Sequence, residues 1–142
     1  MNWKDEFSVG IPEIDQQHMV IVECIALVEQ AVAERTEKAR WSAVHSAVGR
    51  LADYVRIHFA VEESLMRIHN YPGLEKHAQE HLKFSHDLMA LQKKSLDTDV
   101  SEEMVAFLSN WLLEHIAGSD KAYASYLPTA GVARRPAGKL GR

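Results

Sequence analysis

Seven residues of the 142-residue chain carry metal-binding side chains at regular spacings. They are His18, His58, Glu62, His77, His81, His115 and Asp120. Three pairs in this set lie four or five positions apart, which is about one helical turn, so each pair can project inward from one helix. Five imidazoles and two carboxylates arranged in this way predict a metal centre.

A single pair of this kind carries little weight, because a histidine four residues from a glutamate or another histidine usually belongs to a solvated helix face. The complete set is different. Five histidines in one layer of a small core would be costly to desolvate unless they coordinated something. The full set therefore favours a metal centre over a collection of ordinary polar contacts.

The number and type of ligands narrow the choice of metal. Seven protein ligands are too many for one ion, and a four-coordinate zinc site would use only four of them. Carboxylate-rich ferritin-like sites need a Glu-x-x-His repeat on two helices, which this chain lacks. Imidazoles with bridging carboxylates instead suit two iron ions. If Glu62, Asp120 and one oxygen species bridge the ions, the histidines divide three and two, which leaves one position open for a small ligand.

Four segments with helical periodicity must position these side chains, and no strand pattern competes with them. The predicted helices cover about residues 12–38, 40–69, 72–94 and 101–126. Pro12 and Pro72 suit helix starts. Asp99 followed by Glu102 resembles a capping box before the fourth helix. The sequence therefore predicts an all-α fold.

The short connections between these helices favour an up-down-up-down antiparallel four-helix bundle. At 1.5 Å per residue, the candidate ligands then lie roughly 8–17 Å from the same end of the bundle. All seven can meet in one layer.

The pair His115 and Asp120 needs a separate explanation. Five residues of a regular α-helix leave the two side chains about 140° apart, so they would not share a face. We predict a local widening of π type near Gly118, which brings positions five apart into line.

Composition excludes several function classes. The net charge of −4 and the pI near 6.0 provide no basic surplus for a nucleic-acid partner. The N-terminus has no targeting pattern, and Glu23 and Glu29 interrupt the apolar run after His18, so no membrane span is expected. The single cysteine, Cys24, suits a reducing compartment, and a cytoplasmic location is expected.

Four stretches together resemble the bacterial hemerythrins, which are non-haem di-iron proteins that bind dioxygen reversibly. The resemblance covers about residues 3–126. The stretches are IPEIDQQH ending at His18, HFAVEESLM from His58, YPGLEKHAQEH ending at His81, and WLLEHIAGSDKAY around His115.

The resemblance implies a role for each candidate residue. His77, His81 and His115 would bind one iron, which has no free coordination position. His18 and His58 would bind the other iron, which keeps one position open. Glu62 and Asp120 would bridge the two ions together with an oxo or hydroxo group. An apolar oxygen pocket would be formed by Ile21, Trp111, Leu112 and Ile116. Ile21 departs from the pattern, since leucine is common there.

We therefore expect one hemerythrin-like di-iron bundle over residues 1–127, with Trp3 and Phe7 in an N-terminal arm packed across it and a flexible tail at 128–142. His45 and His86 are expected at the surface, and His69 is expected outside the ligand set, either beside the ligands or exposed.

The expected function is reversible dioxygen binding for storage, delivery or buffering, without enzymatic activity. Two alternatives stay open. One is a sensor of oxygen, nitric oxide or redox state that acts through a protein partner. The other is an enzyme that reduces peroxide or removes nitric oxide, with Tyr123 or Tyr126 as a proton donor. Small anions are further candidate ligands.

Overall fold

The computed structural model describes residues 1–129 and contains helices but no strand within that range. A 3-10 turn over Asp5–Phe7 precedes the bundle. The α-helices are α1 (Pro12–Val32), α2 (Glu37–Ile68), α3 (Leu74–Lys94), α4 (Ser101–Glu114) and α5 (Lys121–Thr129). A π-helical turn, His115–Asp120, joins α4 and α5 into one continuous rod. The predicted all-α four-helix bundle is confirmed.

The first predicted helix is too long at its C-terminal end, because the chain turns between Val32 and Glu37. Thr36 has an extended backbone, and its hydroxyl oxygen accepts a hydrogen bond of 3.1 Å from the backbone N–H of Ala39. A residue in this capping conformation starts one helix and cannot continue another. Helical periodicity alone did not reveal this break.

The start of the fourth helix matches the prediction. Asp99 accepts hydrogen bonds from the backbone N–H of Ser101 at 2.9 Å and from the Ser101 hydroxyl at 2.6 Å. Arg40 of α2 contacts the other Asp99 oxygen at 3.1 Å, which ties the start of α4 to the start of α2. Asp99 thus binds the first residue of α4 from the position before the N-cap, which is Val100, so the contact differs from the capping box that the sequence predicts.

The connection before α3 contains a left-handed residue, Asn70, with a φ of 53°. Asparagine tolerates this conformation better than most side chains. The sequence predicts that α3 starts at Pro72. The turn instead continues through Gly73, and α3 begins two residues later than predicted, at Leu74.

The core is built from the apolar stripes of the helices, with α1 packed against α2 and α4, and α2 against α3. Phe7 is buried, and its ring lies 5.6 Å from the Trp3 ring between centroids, so the expected N-terminal arm is present. The terminal amino group of Met1 pairs with Glu29 of α1. Within the described residues, no helix combines the length and apolar character needed to cross a membrane.

The expected tail overlaps the structure at only two positions, since α5 continues to Thr129. The remainder, 130–142, lies outside the described residues.

Replacing Thr36 by alanine removes the oxygen that caps α2. We expect the free energy of unfolding to fall by about 1 kcal/mol, measured by urea denaturation of the metal-free protein. Thr36→Ser keeps the hydroxyl and should remain close to the parent. Equal stability of the alanine and serine variants would contradict the capping role.

Candidate metal centre

All seven predicted ligands converge in one buried layer near the connection between α2 and α3. None is more than 4% exposed. Each helix of the bundle contributes, with His18 on α1, His58 and Glu62 on α2, His77 and His81 on α3, and His115 and Asp120 in the π-helical turn. The structure therefore brings together every residue that the sequence singled out as a ligand.

The ligand atoms form two groups that share one carboxylate. Atoms of Glu62, His77, His81 and His115 lie within 4.8 Å of one another, and so do atoms of His18, His58, Glu62 and Asp120. We call these the three-histidine group and the two-histidine group.

Glu62 lies between the two groups. Its Oε1 is 3.4 Å from His77 Nε2 and 3.2 Å from His81 Nε2, and it is also 3.5 Å from His58 Nε2. Its Oε2 is 3.9 Å from His18 Nε2. The carboxylate thus has an oxygen toward each group.

Asp120 divides its oxygens in the same way. Its Oδ1 is 3.1 Å from His77 Nε2 and 3.0 Å from His115 Nε2, and its Oδ2 is 2.8 Å from His18 Nε2. Two carboxylates that each present oxygens to both groups have the placement that bridging ligands need between two metal ions.

The π-helical turn aligns His115 with Asp120. Its hydrogen bonds span five residues instead of four, which adds one residue to the turn and brings both side chains onto one face. The predicted widening near Gly118 is confirmed.

Three ligand histidines have neighbours outside the ligand set at Nδ1, two through hydrogen bonds and the third, His115, through a charge contact. Gln17 Oε1 lies 2.6 Å from Nδ1 of His58, Glu63 Oε2 lies 2.8 Å from Nδ1 of His81, and Glu80 Oε1 lies 3.3 Å from Nδ1 of His115. A contact to Nδ1 directs the Nε2 atom of the same ring into the centre.

The sequence alone did not point to these three neighbours, although each is next in sequence to a predicted ligand. Each contacts a histidine of a different helix, so its role is visible only once the helices are packed.

The other histidines stay outside the centre, as expected. His45 is exposed and stacks on Trp41, with ring centroids 4.8 Å apart, and His86 is exposed. His69 is half-buried, and its Nδ1 lies 2.9 Å from the backbone oxygen of Leu65.

Burial and charge act in opposite directions on the histidines. Burial lowers the pKa of His58 to about 4, despite the nearby Glu62 carboxylate. Burial also acts on His77 and His115, but close contacts with Asp120 and Glu62 outweigh it and raise their pKa values to about 9 and about 10. Two imidazolium groups therefore balance the two carboxylates in the metal-free protein.

Both carboxyl groups remain ionised in the core. Burial pushes their pKa values upward, but contacts with histidines hold the pKa of Glu62 and that of Asp120 well below the usual range.

The donor set fits two metal ions. Several buried ligand atoms lie close together without the direction of a hydrogen bond to any described residue: Nε2 of His18, His58 and His77 and all four oxygens of Glu62 and Asp120. Such orphaned polar atoms are costly in a core unless they coordinate a cation. Imidazole nitrogen and carboxylate oxygen together suit iron and neighbouring transition metals.

The residues of the expected oxygen pocket pack beside this layer. Ile21, Leu112 and Ile116 are buried in the core, and Trp111 is partly buried against it. The Trp111 ring stacks on His115, with centroids 4.4 Å apart. Phe59, which the sequence analysis did not single out, stacks on His81 at 3.7 Å.

Comparison with known proteins finds related sequences and structures along most of the chain. Residues 9–127 match the family model described as the hemerythrin HHE cation binding domain. A bacteriohemerythrin of Stenotrophomonas maltophilia (strain R551-3) is 36% identical over 123 residues, which cover 86% of this chain and 78% of that protein. A myohemerythrin of Riftia pachyptila is 32% identical over 128 residues, covering 88% and 92% of the two chains.

A solved structure agrees with these sequence matches. The crystal structure of wild-type hemerythrin superposes with a TM-score of 0.79 at 29% identity, covering 88% of this chain and 95% of that one. The matched region includes all seven converging side chains.

Replacing His77 by alanine removes a ligand atom from the three-histidine group. Losing a residue that only contacts a ligand typically lowers metal affinity by roughly 10–100-fold. Losing a ligand itself should lower the affinity further, so we expect that the variant no longer holds two metal ions stably. Metal content after gel filtration measures this. His86→Ala, on the same helix but exposed, should load normally. Two metal ions retained per chain in the His77 variant would contradict the assignment.

Metal binding should release protons. At pH 7, His77 and His115 carry protons because their pKa values are about 9 and about 10, and a metal ion requires neutral imidazole. We expect at least two protons per chain on loading with ferrous ion under anaerobic conditions, measured with a pH indicator in weak buffer. The contribution of these histidines should decline as the pH rises through their pKa values. Loading without proton release at pH 7 would contradict this charge assignment.

Proposed function

Because the chain belongs to the hemerythrin HHE cation binding family, we propose that it binds dioxygen reversibly at two iron ions held by the seven converging side chains. When bound, a pair of ferrous ions can coordinate dioxygen and exchange electrons with it reversibly. The observation that carries the proposal is the placement of Glu62 and Asp120, whose oxygens are presented to both histidine groups.

The division into two groups supports one distribution of the histidines between the two ions. His77, His81 and His115 would hold one ion, and His18 and His58 the other. Both carboxylates and one oxo or hydroxo group would span the pair. This arrangement gives the His18 and His58 side one protein ligand fewer, so dioxygen would bind there. Nitric oxide or a small anion would compete for the same position.

The surrounding side chains would keep water away from this position. Ile21 lies one turn along α1 from His18, and Leu112 and Ile116 flank His115 in sequence; all three are buried. An apolar lining favours release of dioxygen as the intact molecule, because water and proton donors promote irreversible oxidation of the centre.

The nearest phenols support a carrier over a proton-consuming enzyme. Tyr123 is fully buried, and its hydroxyl has no hydrogen-bond partner among the described residues. Burial raises the pKa of Tyr123 well above its usual value, and the charges of Glu62 and Asp120 add to this effect when no metal is bound. A phenol that holds its proton so firmly is a poor general acid at neutral pH.

Tyr126, the second candidate donor, is already engaged elsewhere. Its hydroxyl donates to the backbone oxygen of His69 at 3.0 Å, and that of Asn70 lies at 3.2 Å. These contacts fix the ring against the connection between α2 and α3. Neither tyrosine is therefore placed as a ready proton donor, which favours oxygen binding without turnover.

A visible absorption spectrum tests the proposal directly. The reduced, iron-loaded protein should be colourless without oxygen, become coloured in air and fade again under inert gas. Immediate and irreversible conversion to an oxidised form would contradict reversible binding and favour a redox sensor. Sustained turnover of peroxide or nitric oxide would favour an enzyme.

The lining at Ile21 offers a matched pair of substitutions. Thr and Val have nearly the same shape, but threonine places a hydroxyl in the apolar lining. We expect Ile21→Thr to oxidise irreversibly faster in air than Ile21→Val, measured as the decay of the oxygenated spectrum. Equal decay rates would show that polarity at this position does not protect the centre.

A further inference from the structure

A surface cavity of about 300 Å³ lies between the start of α3 and the π-helical turn. We call it the access cavity. The residues that line it include Lys76, His77, Glu80, Gly118 and Ser119, so the lining carries one lysine as well as one carboxylate. The expected oxygen pocket lies elsewhere, because none of its four residues lines this cavity.

Two residues that line the access cavity also contact the metal centre. His77 lines the cavity, while its Nε2 lies 3.1 Å from Asp120 Oδ1 inside the centre. Glu80 also lines the cavity, and its Oε1 lies 3.3 Å from Nδ1 of the ligand His115. All seven ligand side chains are buried, with at most 4% of each residue exposed, so a metal ion needs an opening in the surface to reach them.

Glu80 is suited to receive a cation from solvent. Its side chain is 33% exposed, and its carboxylate accepts a hydrogen bond from the Ser119 hydroxyl, which fixes it in the wall. His77 lines the same cavity and contacts the buried carboxylates of Glu62 and Asp120, which offer further donor atoms to a metal ion on its way inward. Carboxylate and imidazole are donors that a divalent transition-metal ion accepts.

A second carboxylate provides an internal comparison. Glu63 contacts Nδ1 of His81 at 2.8 Å, as Glu80 contacts Nδ1 of His115, and it is also partly exposed. Glu63 does not line the access cavity. The two glutamates therefore share the orienting role and differ in their position relative to the cavity.

We propose that the access cavity is the route by which divalent metal ions reach the centre, with Glu80 as the first ligand and His77 as the second. The proposal rests on the metal-binding part of the function proposed above. It is independent of whether the loaded centre carries oxygen.

The test compares rates of metal uptake by the metal-free protein. Stopped-flow mixing with cobalt(II) is suitable, because the bound ion absorbs visible light and needs no exclusion of air during mixing. We expect Glu80→Gln to slow uptake by about ten-fold, because an attracting charge at the opening is lost. Glu80 is outside the ligand set and glutamine has nearly the same size, so final loading should remain two ions per chain. Glu63→Gln alters a ring contact of the same kind away from the cavity, so any fall in its uptake rate measures the orienting role alone, and Glu80→Gln should be clearly slower.

A second pair of variants tests the cavity itself. A Cβ added at Gly118 or at Gly49 would meet no atom within 4 Å, so both positions have room for a side chain. Gly118 lines the cavity and Gly49 lies on α2, away from it. We expect Gly118→Leu to slow uptake by about ten-fold, as a partly blocked opening would, and Gly49→Leu to leave the rate unchanged.

Three results would overturn the proposal. The first is an equal rate for the two glutamine variants, and the second is an equal rate for the two leucine variants. The third is incomplete final loading of Glu80→Gln alone, because Glu80 would then only position His115. If Gly118→Leu loses its helical circular dichroism, Ala122→Leu in the same wall takes its place.

The same experiment separates this proposal from the function on which it rests. Failure of the parent protein to bind two cobalt ions would count against the metal centre. Normal loading without reversible oxygen binding would count against the carrier function and leave the access route standing.

Discussion

Two carboxylates buried in the core of a small bundle are the constraint that organises this structure. Glu62 and Asp120 are almost completely inaccessible to solvent, and an isolated buried carboxylate costs several kcal/mol or more. Their charges must be balanced by cations within a few ångströms. Protonated His77 and His115 provide that balance in the metal-free protein, and two metal ions would provide it in the loaded form. Protons and metal ions therefore compete for the same atoms.

The bundle meets this constraint by bringing every helix to one layer. No single helix supplies enough ligands, so a two-metal centre exists only when the packing is complete. The π-helical turn is the local adjustment that this requires, since without it Asp120 would leave the face shared with His115. Outside the ligands, Gln17, Glu63 and Glu80 hold histidine rings in orientation. The residues that would bind the metal ions, those that contact the ligand rings and those that line the access cavity are therefore neighbours in one layer of the bundle.

Most of the ligand layer could be predicted from the sequence, because each pair of ligands is recognised by its spacing along a single helix. A His and a Glu four residues apart on one helix share a face in any bundle, and the five-residue spacing of His115 and Asp120 implies a widened turn wherever it occurs. The end of α1 could not be predicted in this way. The apolar pattern continues past Val32, and the break arises from the capping conformation of Thr36, whose signal was weaker than the periodicity.

By itself, the sequence determined the ligand types, their helical spacings, the number of helices and the need for a π-helical turn, because these follow from residue identity and backbone geometry. Only the tertiary structure decided which oxygen faces which histidine, which residues contact Nδ1 of the ligand rings, and where a cavity approaches the centre. These properties depend on distances between helices. Glu63 and Glu80 look equivalent in the sequence, and only the packing of α3 against the π-helical turn gives Glu80 a place in the cavity wall.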